Sequence, residues 1–363
     1  MNPGFNFILY ARRCVMLVCA LVSLAMIASV PAAAQPARYE GPDRIQRLID
    51  GARREGIVNV YSSMVDKDLR RLAAEFEKKY AVKVNVWRSG KNKVLQRVLA
   101  EAQAGRHEVD VVHNPAPEME ALVREKLLLE IRSPVQAELI PGAMPAHRMW
   151  AGPRIYIFVQ AFNTNKVKRE ELPKAWSDFL NPRWKGRLAI EGKEQEWFYT
   201  LVQEMGEEKG LALFRELVAT NGLSIRMGNA LLSNMVVAGE VPMAITLYSY
   251  LPEKSKKAGA PIDWIALSPT IAYTDGIGVT KNAVHPHAAV LFYEFMLSDG
   301  QALMAEMNHV ITNRRHASNL DKFQLKFIDV GAVLDGYARW SRIFEETING
   351  RPSSVTAVPV SGG

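Results

Sequence analysis

Three hydroxyl side chains, Ser62, Ser63 and Ser89, and two guanidinium groups, Arg88 and Arg154, stand where short apolar runs end. Hydroxyls, backbone N–H groups at helix starts and planar guanidinium forks are the groups that hold a carboxylate, phosphonate or sulfonate. Asn114 closes the run Val109–Val112, and Asp275 opens Gly276-Ile277-Gly278-Val279. Tyr248 and Tyr250 end the apolar run Val241–Leu247, with one serine between them. Asp275 reads either as a ligand contact or as a hydrogen-bond acceptor where two units of the chain meet. Glu191, Glu194 and Glu196 surround a helix start, where the dipole favours carboxylates without any ligand. Trp197 and Tyr199 read as helix core before they read as an aromatic wall. Lys254, Lys256 and Lys257 read as a solvated face.

Motifs for covalent or hydrolytic chemistry are missing from the chain. There is no G-x-S-x-G elbow, S-x-x-K pair, H-E-x-x-H helix or P-loop. The seven histidines are scattered, and His285 and His287 flank Pro286, where capping is the simpler role. His113 ends a strand and reads either as a residue facing the cleft or, the commoner case for a lone histidine, as one that supports a neighbouring ligand contact. These features argue against an enzyme, leaving a secreted enzyme on a two-lobed scaffold as the alternative class. The formal charge of +7 is spread along the 363 residues, so no nucleic-acid stripe is expected.

The elements that must position these groups alternate in period. Ile45, Leu48, Ile49 and Ala52 recur at helical spacing up to Gly56, and Ile57, Val58 and Val60 follow as a strand. Asp66 is placed to cap the next helix, whose apolar stripe is Leu69, Leu72, Ala73, Phe76 and Tyr80. Val82, Val84 and Val86 form a strand, Val94 to Ala102 a helix, and Val109 to Val112 a strand. This alternation predicts an α/β fold with a parallel sheet covered by helices, and ligands beyond the carboxyl ends of its strands. A second unit begins near Pro153. Further strands are expected at 154–162, 185–190, 241–247 and 275–279, so the chain crosses between two lobes at least twice. The boundaries are 40–152 for lobe 1, 153–270 for lobe 2, 271–310 for a return segment, 311–350 for C-terminal helices packing on the lobes, and 351–363 for an unstructured tail.

The N-terminus addresses the compartment. Arg12-Arg13, an apolar run from Cys14 to Val30 and the exit Pro31-Ala32-Ala33-Ala34 describe a secretory signal over residues 1–34, cleaved before Gln35. Arg12-Arg13 alone does not decide between export routes. Cleavage removes Cys14 and Cys19, the only cysteines, and with them any disulfide or thiolate site.

Four segments together resemble the type 2 periplasmic binding proteins of ABC importers, in the branch of the ferric-iron binders. They are Trp176-Ser177-Asp178-Phe179-Leu180-Asn181-Pro182-Arg183-Trp184-Lys185-Gly186-Arg187, Ala238-Gly239-Glu240-Val241, Gly276-Ile277-Gly278-Val279 with Asn282-Ala283 and His285-Pro286, and Ala288 through Gln301. The resemblance spans residues 55 to 315. It implies a two-lobed fold with a hinge and interlobe cleft, a periplasmic location, a monomer, and an inner-membrane permease and ATPase as partners. A binder that presents its ligand to a membrane sensor is the other role open to such a chain.

The resemblance also raises ferric iron as the ligand, with no other cofactor. Iron-binding members carry two adjacent tyrosines at the end of a second-lobe strand, and hard phenolate oxygens suit a hard cation. Here Tyr248 and Tyr250 are the metal candidates; on an extended backbone, i and i+2 share a face. The family's first-lobe His and Glu ligands are not evident in Tyr61-Ser62-Ser63-Met64-Val65. That absence and the split tyrosine pair tilt the reading toward an organic anion held by Arg88 and Arg154.

Overall fold

A computed structural model describes residues 36–316 and 323–350. The expected signal segment at 1–34 and the tail at 351–363 lie outside the described residues.

In chain order the first elements are α1 (Arg44–Glu55), β1 (Ile57–Ser62), α2 (Asp66–Tyr80), β2 (Lys83–Arg88), α3 (Lys91–Gln103), β3 (Val111–Pro115) and α4 (Ala116–Arg124). A long strand, β4 (Arg154–Asn163), leads to β5 (Leu188–Glu191), α5 (Gln195–Met205), α6 (Glu207–Asn221), β6 (Ser224–Arg226), α7 (Asn229–Ala238) and β7 (Met243–Tyr248). Then come α8 (Tyr250–Lys257), β8 (Ile262–Ile265), a second long strand β9 (Thr270–Val279), α9 (Pro286–Leu297) and α10 (Asp299–Glu306). The chain closes with β10 (Val310–Ile311), β11 (Leu325–Phe327) and α11 (Val330–Phe344). The segment expected to hold only C-terminal helices thus contributes a strand before its long helix.

The strands join in one mixed sheet of order β2-β1-β3-β9-β4-β7-β5-β6, with β8 and β10 pairing β4, and β11 pairing β9. Within each half the sheet is parallel: β1 with β2 and β3, and β5 with β6 and β7. The parallel sheet expected over the first unit is present, and antiparallel pairing enters at the middle. There β9 runs antiparallel to β3 and to β4, and β4 antiparallel to β7. Two strands returning through one joint in opposite directions need no crossover helix, which an all-parallel arrangement would require.

Period-2 alternation places one core on each face of each half. In the first half, Val58, Val60 and Val111 pack with Leu69, Phe76, Phe292 and Phe295, while Tyr61 and Val112 face Val94, Val98 and Met119. In the second half, Ile190, Met243 and Ile245 pack with Trp197, Phe198, Phe214 and Trp340, and Ala189, Ala244 and Leu247 face Leu232 and Val236. Trp197 is therefore core. Glycines on β9 let α4 and the preceding loop come close: a Cβ on Gly276 would stand 2.9 Å from Met119 Cγ, and one on Gly278 2.9 Å from the Met149 carbonyl oxygen.

Only β4 and β9 serve both halves among the paired strands described. β4 meets β9 through Ile155–Ile157, then β7 and β8 from Phe158 onward. β9 meets β4 through Ala272–Thr274, then β3 through Asp275–Val279. Both strands change partners at the same level, and this joint positions the charged residues described next.

Candidate functional site

The sheet register brings Arg154 and Asp275, 121 residues apart in sequence, to the joint. Arg154 Nε donates to Asp275 Oδ2 at 2.5 Å, and both side chains are almost fully buried. Burial alone would raise the Asp275 pKa, but the guanidinium and His113 outweigh it and hold it near about 2. His113 Nε2 lies 3.1 Å from the same oxygen, within ion-pair reach but off line for a hydrogen bond. On its other side His113 Nδ1 pairs with Ser62 Oγ at 2.9 Å, and Ser62 Oγ accepts from the Met64 N–H at 3.0 Å. A second arm of Arg154 donates to Tyr156 Oη at 2.5 Å. His309 lies against the guanidinium, and its Nε2 is 2.9 Å from Asp68 Oδ2 on α2. Burial pushes the His309 pKa down against the pull of Asp68.

Arg154, expected to hold a ligand anion, is thus already neutralised inside the protein. Arg88 is exposed, and its Nε donates to the Met64 carbonyl at 3.1 Å. The Ser63 and Ser89 N–H groups extend the strand ladders, to the carbonyls of His113 (3.2 Å) and Ser62 (3.1 Å). Asn114 donates to the Lys91 carbonyl at 3.0 Å, and its own Oδ1 is a buried acceptor without a protein donor.

The Tyr-Ser-Tyr segment differs from the extended backbone expected of it. Ser249 has φ −52° and ψ −32°, and Tyr250 begins α8, so the strand rule for i and i+2 does not apply. The two rings still stack, with centroids 6.3 Å apart and planes at 14°. Their surroundings diverge. Burial raises the pKa of both phenols, but the charge acting most on Tyr248 is Glu194, whereas on Tyr250 it is Arg154. Tyr250 also packs against His309, with centroids 5.4 Å apart and planes tilted at 52°.

Tyr248 instead meets Tyr273 of β9, a residue that the sequence reading did not single out. Their phenol oxygens are 3.0 Å apart and share a hydrogen bond. Tyr156 and Phe158 complete the aromatic group, 4.8 Å and 5.2 Å from the Tyr248 ring. Tyr248 and Tyr273 line a small cavity of about 10 Å³ with Glu194 and Glu196 from the second half, and Lys91, Pro115 and Pro117 from the first. That volume suits one water-sized occupant. Glu194 is buried, accepts from Asn229 Nδ2 at 2.7 Å, and is pushed up to about 7 by burial and by neighbouring Glu191. Glu191 itself caps backbone, accepting from the N–H groups of Lys193 (2.6 Å) and Gly228 (2.9 Å). The helix-dipole reading of these glutamates therefore suits Glu191 and misses Glu194.

The histidines at the start of α9 do not cap it. Glu55 accepts from the N–H groups of His287 (3.1 Å) and Ala288 (2.8 Å), and Asp110 from that of His285 (2.9 Å). Asp66, likewise, lies in the first turn of α2 behind Val65, without a side-chain cap.

A model of the bacterial extracellular solute-binding proteins matches residues 61–303. The chain belongs to that family. Among its relatives, iron uptake protein A1 of Synechocystis is 25% identical over 277 residues, covering 69% of this chain and 74% of that protein. The Fe(3+)-binding periplasmic protein of Serratia marcescens is 26% identical over 200 residues, 54% of this chain and 58% of that one. Iron-bound HitA from Pseudomonas aeruginosa superposes with a TM-score of 0.70 at 20% identity, covering 79% of this chain and 99% of that one. AfuA of Actinobacillus pleuropneumoniae, with exogenous fructose-6-phosphate, gives 0.69 at 23%, covering 81% and 99%. These likenesses establish the two-lobed periplasmic-binding-protein fold. In this solute-binding protein the joint lies at β4 and β9, and residues of both halves line the small cavity. No helix among the described residues is long and apolar enough to cross a membrane.

Proposed function

We propose that this solute-binding protein is the periplasmic component of an ABC importer and that its cargo is a ferric ion held by Tyr248, Tyr273 and Glu194. One observation carries the reading: Tyr248 and Tyr273, their phenol oxygens 3.0 Å apart, line with Glu194 a cavity sized for a single water-sized occupant. Phenolates and a carboxylate are hard oxygen donors, matched to a hard trivalent cation. Bound charge of that size reverses the local pKa pattern, releasing protons that the buried phenols otherwise keep. The names of the iron-binding relatives support this assignment.

An organic anion is disfavoured. Arg154 is engaged by Asp275, and the gap presents Glu194 and Glu196 against the one cation Lys91 among the residues that line it. The Ser62–His113–Asp275 chain has the composition of a hydrolytic triad, yet all three side chains are sealed at 0–1% exposure. We read it as a structural tie between β1, β3 and β9, and the protein as a binder without catalytic activity. The lobes divide along β4 and β9, which act as the hinge, and the monomer delivers cargo to a permease and its ATPase.

The test is thermal unfolding of metal-stripped protein with ferric nitrilotriacetate, fructose-6-phosphate, sulfate or citrate alone. A ligand that binds only the folded form stabilises it by about 2.7 kcal/mol at a hundredfold excess over Kd. The midpoint should rise with the ferric complex and not with the anions. A rise with an anion alone would reverse the assignment.

A further inference from the structure

Lys91 opens α3 in the first half, at the wall of the gap. Its ammonium stands 3.5 Å from Glu118 Oε1 on α4 of the same half, and 3.5 Å from Glu196 Oε1 on α5 of the other. The two carboxylates are largely buried, with side-chain exposures of 9% and 13%. Glu118 Oε2 is a buried acceptor without a protein donor. Burial raises the Glu118 pKa despite the lysine. Burial would lower the Lys91 pKa, but Glu196, Glu118 and Glu194 together raise it.

Lys91 and Glu196 stand where the small cavity that holds Glu194 meets a larger one, of about 400 Å³, that holds Glu118, and this grouping of like charges favours a cation. Lys91 supplies one from the chain itself. When the halves part, Lys91 and Glu118 travel together and Glu196 leaves with the other half, so of the two lysine contacts the one to Glu196 breaks; a second tie, on the surface, is Arg124 of α4 to Asp335 and the Gly331 carbonyl of α11.

We propose that Lys91 is a tethered surrogate cation. It holds the cargo-free protein closed through Glu196, and an incoming metal ion must displace its ammonium. Lys91 is thereby a specificity residue: a trivalent ion beside the Tyr248 and Tyr273 oxygens, Glu194 and Glu196 gains more than the single charge it evicts, whereas a monovalent ion only replaces one charge by another. The latch stands on the geometry of the gap alone; the displacement rests on the ferric reading above.

The two parts are tested separately on the whole protein, with Lys91→Met, Glu196→Gln and Glu118→Gln, each first checked for native circular dichroism. Solution scattering of metal-stripped protein should show larger radii of gyration for Lys91→Met and Glu196→Gln than for wild type. Glu118→Gln, whose contact lies within one half, should match wild type. Compact Lys91→Met and Glu196→Gln proteins would overturn the latch. Titration with ferric nitrilotriacetate should show Lys91→Met binding about fivefold more tightly, since an ion pair of this exposure competes with at most about that weight. Equal or weaker binding would overturn the displacement. Absence of ferric binding in wild type would instead sink the ferric reading and leave the scattering result to decide the latch.

Discussion

Replacing Glu194 by Gln removes a charge from a site that resists it while keeping the side chain's shape. The residue is 5% exposed, and burial, with Glu191 beside it, pushes its pKa up to about 7 from the ordinary glutamate value of 4.5. Its pKa is therefore higher folded than unfolded, so the contribution to stability is complete below pH 4.5 and is lost as pH rises through 7. By linkage the cargo-free protein gives up about 3 kcal/mol across that window. Glu194→Gln has no proton to lose, and its amide oxygen can still accept from Asn229 Nδ2. Urea denaturation of metal-stripped protein should then find the variant more stable than wild type by about 2–3 kcal/mol at pH 8. At pH 4.5 the two should agree within about 0.5 kcal/mol. A variant less stable at pH 8, or a difference independent of pH, would refute the claim that Glu194 is strained by its own charge. That strain is what a cargo cation would relieve, so the same variant should lose ferric binding.

The joint should be the weak point in acid. Asp275 is depressed to about 2, so its stabilisation is present above the unfolded carboxylate range and disappears as pH falls from about 4 to 2; Asp275→Asn should flatten that limb of the denaturation profile. Arg154→Met leaves Asp275 buried without its main partner and should cost about 3–5 kcal/mol, read from urea midpoints. Phe214→Ala empties a site between Trp197 and Phe198 in the second half and should cost about 3–5 kcal/mol while leaving metal stoichiometry unchanged.

The scaffold was legible wherever a local pattern specifies it. Valines at 58 and 60, at 82, 84 and 86, and at 111 and 112 announced strands, and the crossing segments near 154–162 and 275–279 lie on β4 and β9. The direction of those two strands was not legible, because antiparallel pairing at the joint depends on contacts more than a hundred residues apart. That direction decides the site. It sets Tyr273 opposite Tyr156, and Asp275 beside Arg154. One signal was available: Tyr273 stands two residues before Asp275, a candidate ligand contact at the start of an expected strand, so on extended backbone the two share a face. The backbone at Tyr250 was misread for the converse reason. A helix starting at Tyr250, immediately after the strand, turns its environment toward Arg154, and nothing in Tyr-Ser-Tyr itself marks the change. Glu194 and Glu191 look alike in sequence, and only burial separates the backbone cap from the strained carboxylate.

The most direct measurement is the visible spectrum of ferric-loaded protein in three variants, Tyr248→Phe, Tyr273→Phe and Tyr250→Phe. Phenolate-to-iron charge transfer should colour the wild type, vanish in Tyr248→Phe and weaken or vanish in Tyr273→Phe, because both oxygens face the gap. It should persist in Tyr250→Phe, whose phenol lies toward Arg154 and His309. A band that survives loss of Tyr273 but not of Tyr250 would contradict the assignment, as would a wild-type protein that stays colourless with ferric ion in excess.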